Sequence, residues 1–179
     1  MKTVEQLLAE NREGVVEDWF SHIIDTYPAE TARLWKKSGD PFHNPVSART
    51  REMVAAVVDY LVSKGGKDEL DRVMDCLDEA VRVRAVQNFA PSQAAGFLFL
   101  LKKAIRERLW NQLAAQGDWA GFVAMESRID GLALASLDLY SKCREKLHEI
   151  KYQDLERSQV QLLKRAQLIV GIGEGEPAK

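Results

Sequence analysis

From Trp119 to Val170 the chain reads WAGFVAMESRIDGLALASLDLYSKCREKLHEIKYQDLERSQVQLLKRAQLIV, with no proline and two glycines, Gly121 and Gly131. Proline is the residue that removes a helical N–H and clashes with the preceding turn, so nothing here stops a helix once it has begun. A continuous helix would run about 50 residues, or about 75 Å at 1.5 Å per residue. A domain of this size cannot cover that length, and the far half is expected to project. Upstream the same logic holds. Apolar residues recur at helical spacing and runs of β-branched alternation are missing, which predicts an all-α chain.

Punctuation divides the rest into shorter helices. Thr3 is a good N-cap and Gln6, three residues on, completes a capping box. The helix that follows carries Val4, Leu7 and Leu8, then Val15, Val16, Trp19, Phe20, Ile23 and Ile24. Gly14 is expected to bend or split it, because glycine costs about 1 kcal/mol in a helix interior. Pro28 suits the first turn of a second helix ending near Lys36. Ser38 to Ser47, SGDPFHNPVS, reads as a loop in which Phe42 plugs the core and Asn44-Pro45 sets a turn. A third helix follows from about Ala48 to Lys64, with Met53, Val57, Tyr60 and Leu61 inward, and stops at Gly65-Gly66. Asp68 is expected to cap the fourth, which carries Leu70, Val73, Leu77, Ala80, Val81 and Val83 and ends near Gln87. Pro91 opens a fifth helix to about Ala115; Gly117 ends it and Asp118 caps the last.

The far half of that last helix has a pattern of its own. Tyr152, Leu155, Gln159, Leu162, Ala166 and Ile169 follow alternating steps of three and four, the seam of a coiled coil. Leu137, Tyr140 and Leu147 belong to a different phase, so the seam slips near Ile150. Two readings stay open: pairing with a second chain, or a solvated helix end. The tail GIGEGEPAK, residues 171–179, is expected to be disordered.

Composition limits the function. Hydrophobic residues at 46% and charged residues at 29% suit a globular protein. A net charge of -2 supplies no basic excess for nucleic acid or an anionic membrane. The N-terminus lacks the apolar run of a signal peptide, and the longest such stretch, Ala94 to Leu101, is far too short to span a bilayer. A cytoplasmic location follows by default, and Cys76 and Cys143, far apart and outside any CxxC, read as reduced thiols.

No phosphate-binding glycine loop, nucleophile elbow or HExxH stands in the chain, and His22, His43 and His148 have no second ligand at metal spacing. The expectation is a protein that is not an enzyme and holds no cofactor or metal. Two polar clusters remain. One is Gly39-Asp40-Pro41-Phe42-His43-Asn44-Pro45, following Trp35. The other is Arg82, Arg84 and Gln87 leading into Phe89, Pro91, Ser92 and Gln93. Arg82 and Arg84, two apart, cannot share a helix face, so at least one turns inward or toward the helix end. A pocket lined by Phe42, Phe89, Phe97 and Phe99 is conceivable; ordinary core packing is the alternative.

The two clusters, Leu34 to Pro45 and Val81 to Ala94, resemble signatures of the N-terminal domain of RsbR-type co-antagonists, the RsbRD subgroup, in order and in separation. The resemblance covers about residues 5–145. It implies a non-haem, globin-like domain in residues 1–145 that dimerises and passes a signal down its last helix, here extended over residues 146–170. The absence of a histidine from the fourth helix agrees with a globin-like fold without haem, which would need a proximal ligand. In co-antagonists the last helix leads to a STAS domain phosphorylated by a kinase. This chain stops at Lys179, so the resemblance implies a homodimeric sensor or adaptor without an output domain, with a STAS-domain protein or switch kinase as partner in trans.

Overall fold

Thr3 starts the first helix, α1 (Val4–Glu10), and its side chain accepts the Gln6 amide while the Gln6 side chain accepts the Thr3 amide, the reciprocal box that the spacing predicts. This is a computed structural model, which describes residues 2–37, 44–63, 66–116 and 118–165. Every element in it is a helix: α2 (Arg12–Ile24), α3 (Ala29–Lys37), α4 (Pro45–Val62), α5 (Lys67–Val86), α6 (Pro91–Gln116) and α7 (Trp119–Arg165) follow α1. The protein is all-α among the described residues, with a last helix of 47 residues.

Several boundaries differ from the sequence reading. The break between α1 and α2 lies at Asn11, whose side-chain amide donates to the Leu7 carbonyl, and not at Gly14. Gly14 stays helical; a Cβ there would collide with the guanidinium of Arg108, which crosses this spot to reach Asp18 at 2.7 Å. The missing side chain serves a crossing between helices, not a bend. α4 begins at Pro45, three residues before the expected start. Asn44 Oδ1 accepts the Ser47 amide at 3.1 Å and proline takes the first helical position, so Asn44-Pro45 is a helix start rather than a turn. α5 is capped by Gly66, not Asp68, with Glu69 reaching back to the Gly66 amide at 3.1 Å. Asp118 does cap α7, accepting the Gly121 amide at 3.2 Å. Its second oxygen accepts the Val4 amide at 2.7 Å, joining the starts of α1 and α7.

The chain divides after Ser141 into two compact units. In the first, α2 and α6 pack against each other: Trp19, fully buried, donates its indole N–H to the Phe97 carbonyl at 2.8 Å and stacks on the Phe97 ring. α6 and α7 run antiparallel, with Lys102 paired to Asp130 and Arg106 to Glu126. Arg128 of α7 donates to the carbonyls of Tyr60 and Leu61, which close the end of α4. The α7 residues Phe122, Met125, Ile129, Leu132, Ala133, Ser136 and Tyr140 are buried, spaced by three, four or one. In the second unit, every residue from His148 to Arg165 is exposed.

Candidate functional site

The segment from Val81 to Ala94 builds a corner between two helices. Asn88 adopts φ 58°, the left-handed conformation that asparagine tolerates better than most residues. The Phe89 amide then donates to the Arg84 carbonyl and the Asn88 amide to the Ala85 carbonyl, the paired bonds of a Schellman stop. Gln87 is the C-cap of α5. Two residues beyond Asn88, Ala90 begins the next turn; Pro91 opens α6, and the Gln93 side chain accepts the Ala90 amide at 3.2 Å. Ser92 is exposed and makes no capping bond in this arrangement. Much of this motif is therefore the grammar of stopping one helix and starting another.

Arg84 is different. It is 4% exposed, while Arg82 lies on the surface paired with Asp78 one turn back, so the two arginines diverge as their spacing requires. The Arg84 guanidinium lies 4.1 Å from the centre of the Phe97 ring and about 6 Å from those of Phe89 and Tyr27. It donates to the Gln93 carbonyl at 3.3 Å, tying α5 to α6. Burial pushes its pKa down and the Tyr27 hydroxyl opposes that shift; a guanidinium starts so high that it stays charged.

Tyr27 joins the two sequence clusters. Its ring lies 4.6 Å from Trp35 on one side and 5.4 Å from Phe89 on the other. Trp35 in turn packs on Phe20, Ile24 and Ala32, and its carbonyl accepts from Ser47 at 3.5 Å. Beside this cluster a cavity of about 170 Å³ opens between α4 and α5, bordered by Tyr27, Pro45, Met53, Ala80, Val83 and Arg84. The corner is also fastened to α7: the Tyr140 hydroxyl, buried, donates to the Phe89 carbonyl at 2.5 Å. Tyr140 therefore belongs to the core, and its spacing with Leu137 and Leu147 does not mark a second seam.

The structure thus brings Trp35, Pro45, Arg84 and Phe89 into one neighbourhood and leaves Arg82, Gln87, Pro91, Ser92 and Gln93 on its outer side. Gly39, Asp40, Pro41 and Phe42 lie outside the described residues, as do His43 and Ile169. Of the phenylalanines among the described residues, Phe89, half-buried, and Phe97, buried, both face the Arg84 guanidinium and border a common cavity, while Phe99 is about half exposed on α6. Tyr152, Leu155 and Leu162 are exposed along α7. Of the histidines, His22 Nε2 lies 3.0 Å from Glu107 on the α2–α6 face and His148 is exposed. Sequence reasoning missed Tyr27 and the role of Tyr140. The first carries no motif of its own, and the second shares its spacing with a surface stripe.

In this helical domain the inter-helix corner is fastened to the long terminal helix. The chain belongs to the RsbT co-antagonist protein rsbRD N-terminal domain family, whose model matches residues 13–154. The match starts later than the resemblance suggested and runs further along α7. This is a family of stressosome-related signalling sensor domains. No curated protein and no solved structure matches the chain. No helix among the described residues is long and apolar enough to cross a membrane.

Proposed function

We propose that the chain is a globin-like sensor or adaptor domain of bacterial signal transduction, cytoplasmic, without an enzymatic activity of its own, working through protein contacts as a homodimer. Residues 1–145 form the sensor part and residues 146–170 the extension of its last helix. The observation that carries this reading is the bond from Tyr140 to the Phe89 carbonyl. It couples the Arg84 corner to α7, so any rearrangement of the corner bears on the helix that continues to Arg165. Such transmission needs two arrangements of similar energy, biased by whatever the corner meets. Tyr152, Leu155 and Leu162, exposed at coiled-coil spacing, supply the face that a second copy covers.

Light scattering at micromolar concentration is expected to find a dimer, and the double variant Leu155→Glu, Leu162→Glu a monomer of unchanged helicity. A monomeric parent overturns the dimer, and a dimeric double variant overturns this seam. The downstream partner is a STAS-domain protein or a switch kinase. Affinity capture from the native host should recover one of them; recovery of neither would overturn that assignment. A second reading, sensing of a small ligand, is favoured by the cavity beside Arg84.

A further inference from the structure

The Arg84 guanidinium is held by aromatic faces and neutral acceptors: the rings of Phe97, Phe89 and Tyr27 attract its charge, the Gln93 carbonyl accepts from it and the Tyr27 hydroxyl bonds to it. A buried cation without a counter-charge is costly, and buried charges in folded proteins are ordinarily paired. Yet no carboxylate pairs with Arg84 among the described residues, and the group that acts on its charge is the Tyr27 hydroxyl. The other arginine at the cavity, Arg49, is already engaged by Glu79 at 2.9 Å and by Glu52 at 3.9 Å.

The cavity indicates what would supply the missing anion. At about 170 Å³ it resembles in size the apolar cavity of about 150 Å³ that admits a benzene ring. Met53, Ala80 and Val83 make much of its wall apolar, and the Tyr27 ring adds an aromatic face. With Arg49 and Glu79 paired to each other, Arg84 is the cation at the cavity without a carboxylate partner among the described residues, and it matches a single negative charge. These features select against phosphate, dicarboxylates and nucleotides, which bring more charge than one arginine balances or more bulk than the space holds.

We propose that this cavity is a binding site for a small organic monocarboxylate, whose carboxylate meets the Arg84 guanidinium and whose apolar body lies against Met53, Ala80 and Val83. The guanidinium fork fits a carboxylate with two parallel bonds. The proposal deepens the small-ligand reading and is independent of self-association. A failed titration leaves the dimer standing, and a monomer leaves the site standing.

Calorimetric titration of the full chain with sodium benzoate, and with neutral benzamide of the same shape, tests it. Benzoate is expected to bind saturably at one site per chain. Benzamide should bind about 10- to 100-fold more weakly, the range that a charge-assisted pair supplies. Arg84→Gln should bring benzoate down to the benzamide level. Ala80→Phe, which fills the cavity and leaves Arg84 in place, should abolish both, and keeps the test open if Arg84→Gln fails to fold. Equal binding of the two probes, no benzoate binding up to about 10 mM, or benzoate binding that survives Ala80→Phe would each overturn the site. Asp40→Asn should leave benzoate affinity unchanged. Binding that arises only in that variant would mean the chain provides its own carboxylate, and would overturn an external ligand.

Discussion

Two stretches of α7 share a helical conformation and an apolar spacing and differ in everything else. Between Phe122 and Tyr140 one apolar stripe, Phe122, Met125, Ile129, Leu132, Ala133 and Tyr140, is buried; from His148 to Arg165 no apolar side chain is, although Ile150, Tyr152, Leu155, Leu162 and Leu163 stand among them. The spacing of apolar residues reports that a helix face wants a partner. It does not report whether the partner belongs to the same chain. In the first stretch the core of the domain covers the face, and ion pairs from Lys102 and Arg106 fix the register against α6. In the second no described residue covers it.

The contrast is sharpest in paired truncations. Ile129→Ala, at a fully buried position, should cost about 2–5 kcal/mol, the range for deleting a large aliphatic side chain from a packed core. Leu155→Ala should cost under about 0.5 kcal/mol when unfolding is followed at concentrations too low for self-association. Urea titration measures both; equal costs would break the contrast. An intermediate effect is expected at Tyr140, the last of the buried series. Tyr140→Phe keeps the ring and removes the donor to Phe89, leaving a carbonyl unsatisfied at about 1–2 kcal/mol. An unchanged urea midpoint would show that the bond ties nothing together.

The smallest effect belongs to an exposed cap away from α7. Glu69 accepts from Ser63 at 2.6 Å and from the Gly66 amide, and these bonds hold its carboxyl below the usual carboxylate value. A depressed folded pKa means that the unfolded chain takes up the proton first. The contribution is therefore complete above the ordinary value of 4.5 and fades as pH falls through the lowered one. Glu69→Gln should flatten slightly the acid side of the stability–pH curve, read by thermal melts between neutral pH and acid. An unaltered curve would assign the effect to other carboxylates.

What was legible in the chain was local. Thr3 with Gln6, Pro91 and Asp118 mark helix starts through atoms within a turn of themselves and sit where their spacing places them, and Pro28 stands one residue before α3, its carbonyl accepting the Ala32 amide. What was not legible depends on remote atoms. Gly14 looks like a breaker until Arg108, from another helix, takes the space of its absent Cβ. Asp68 looks like a better cap than Gly66 until Glu69 is seen to collect Ser63 as well. Arg84 and Arg82 had to diverge, but only the rings of Phe97, Phe89 and Tyr27 decide which goes inward. Tyr27 carries no signal because its work is to bridge two motifs that neither contains it.

Asp118 has one carboxylate and two helix starts in its care. Its oxygens hold the amides of Val4 and Gly121 in different helices, and a Cβ at Gly121 would lie 2.7 Å from one of those oxygens and displace the carboxylate. When that carboxylate swings away, both amides meet solvent at once. In hydrogen exchange the two amides are expected to open together, giving the first turn of α1 and the first turn of α7 a common clock.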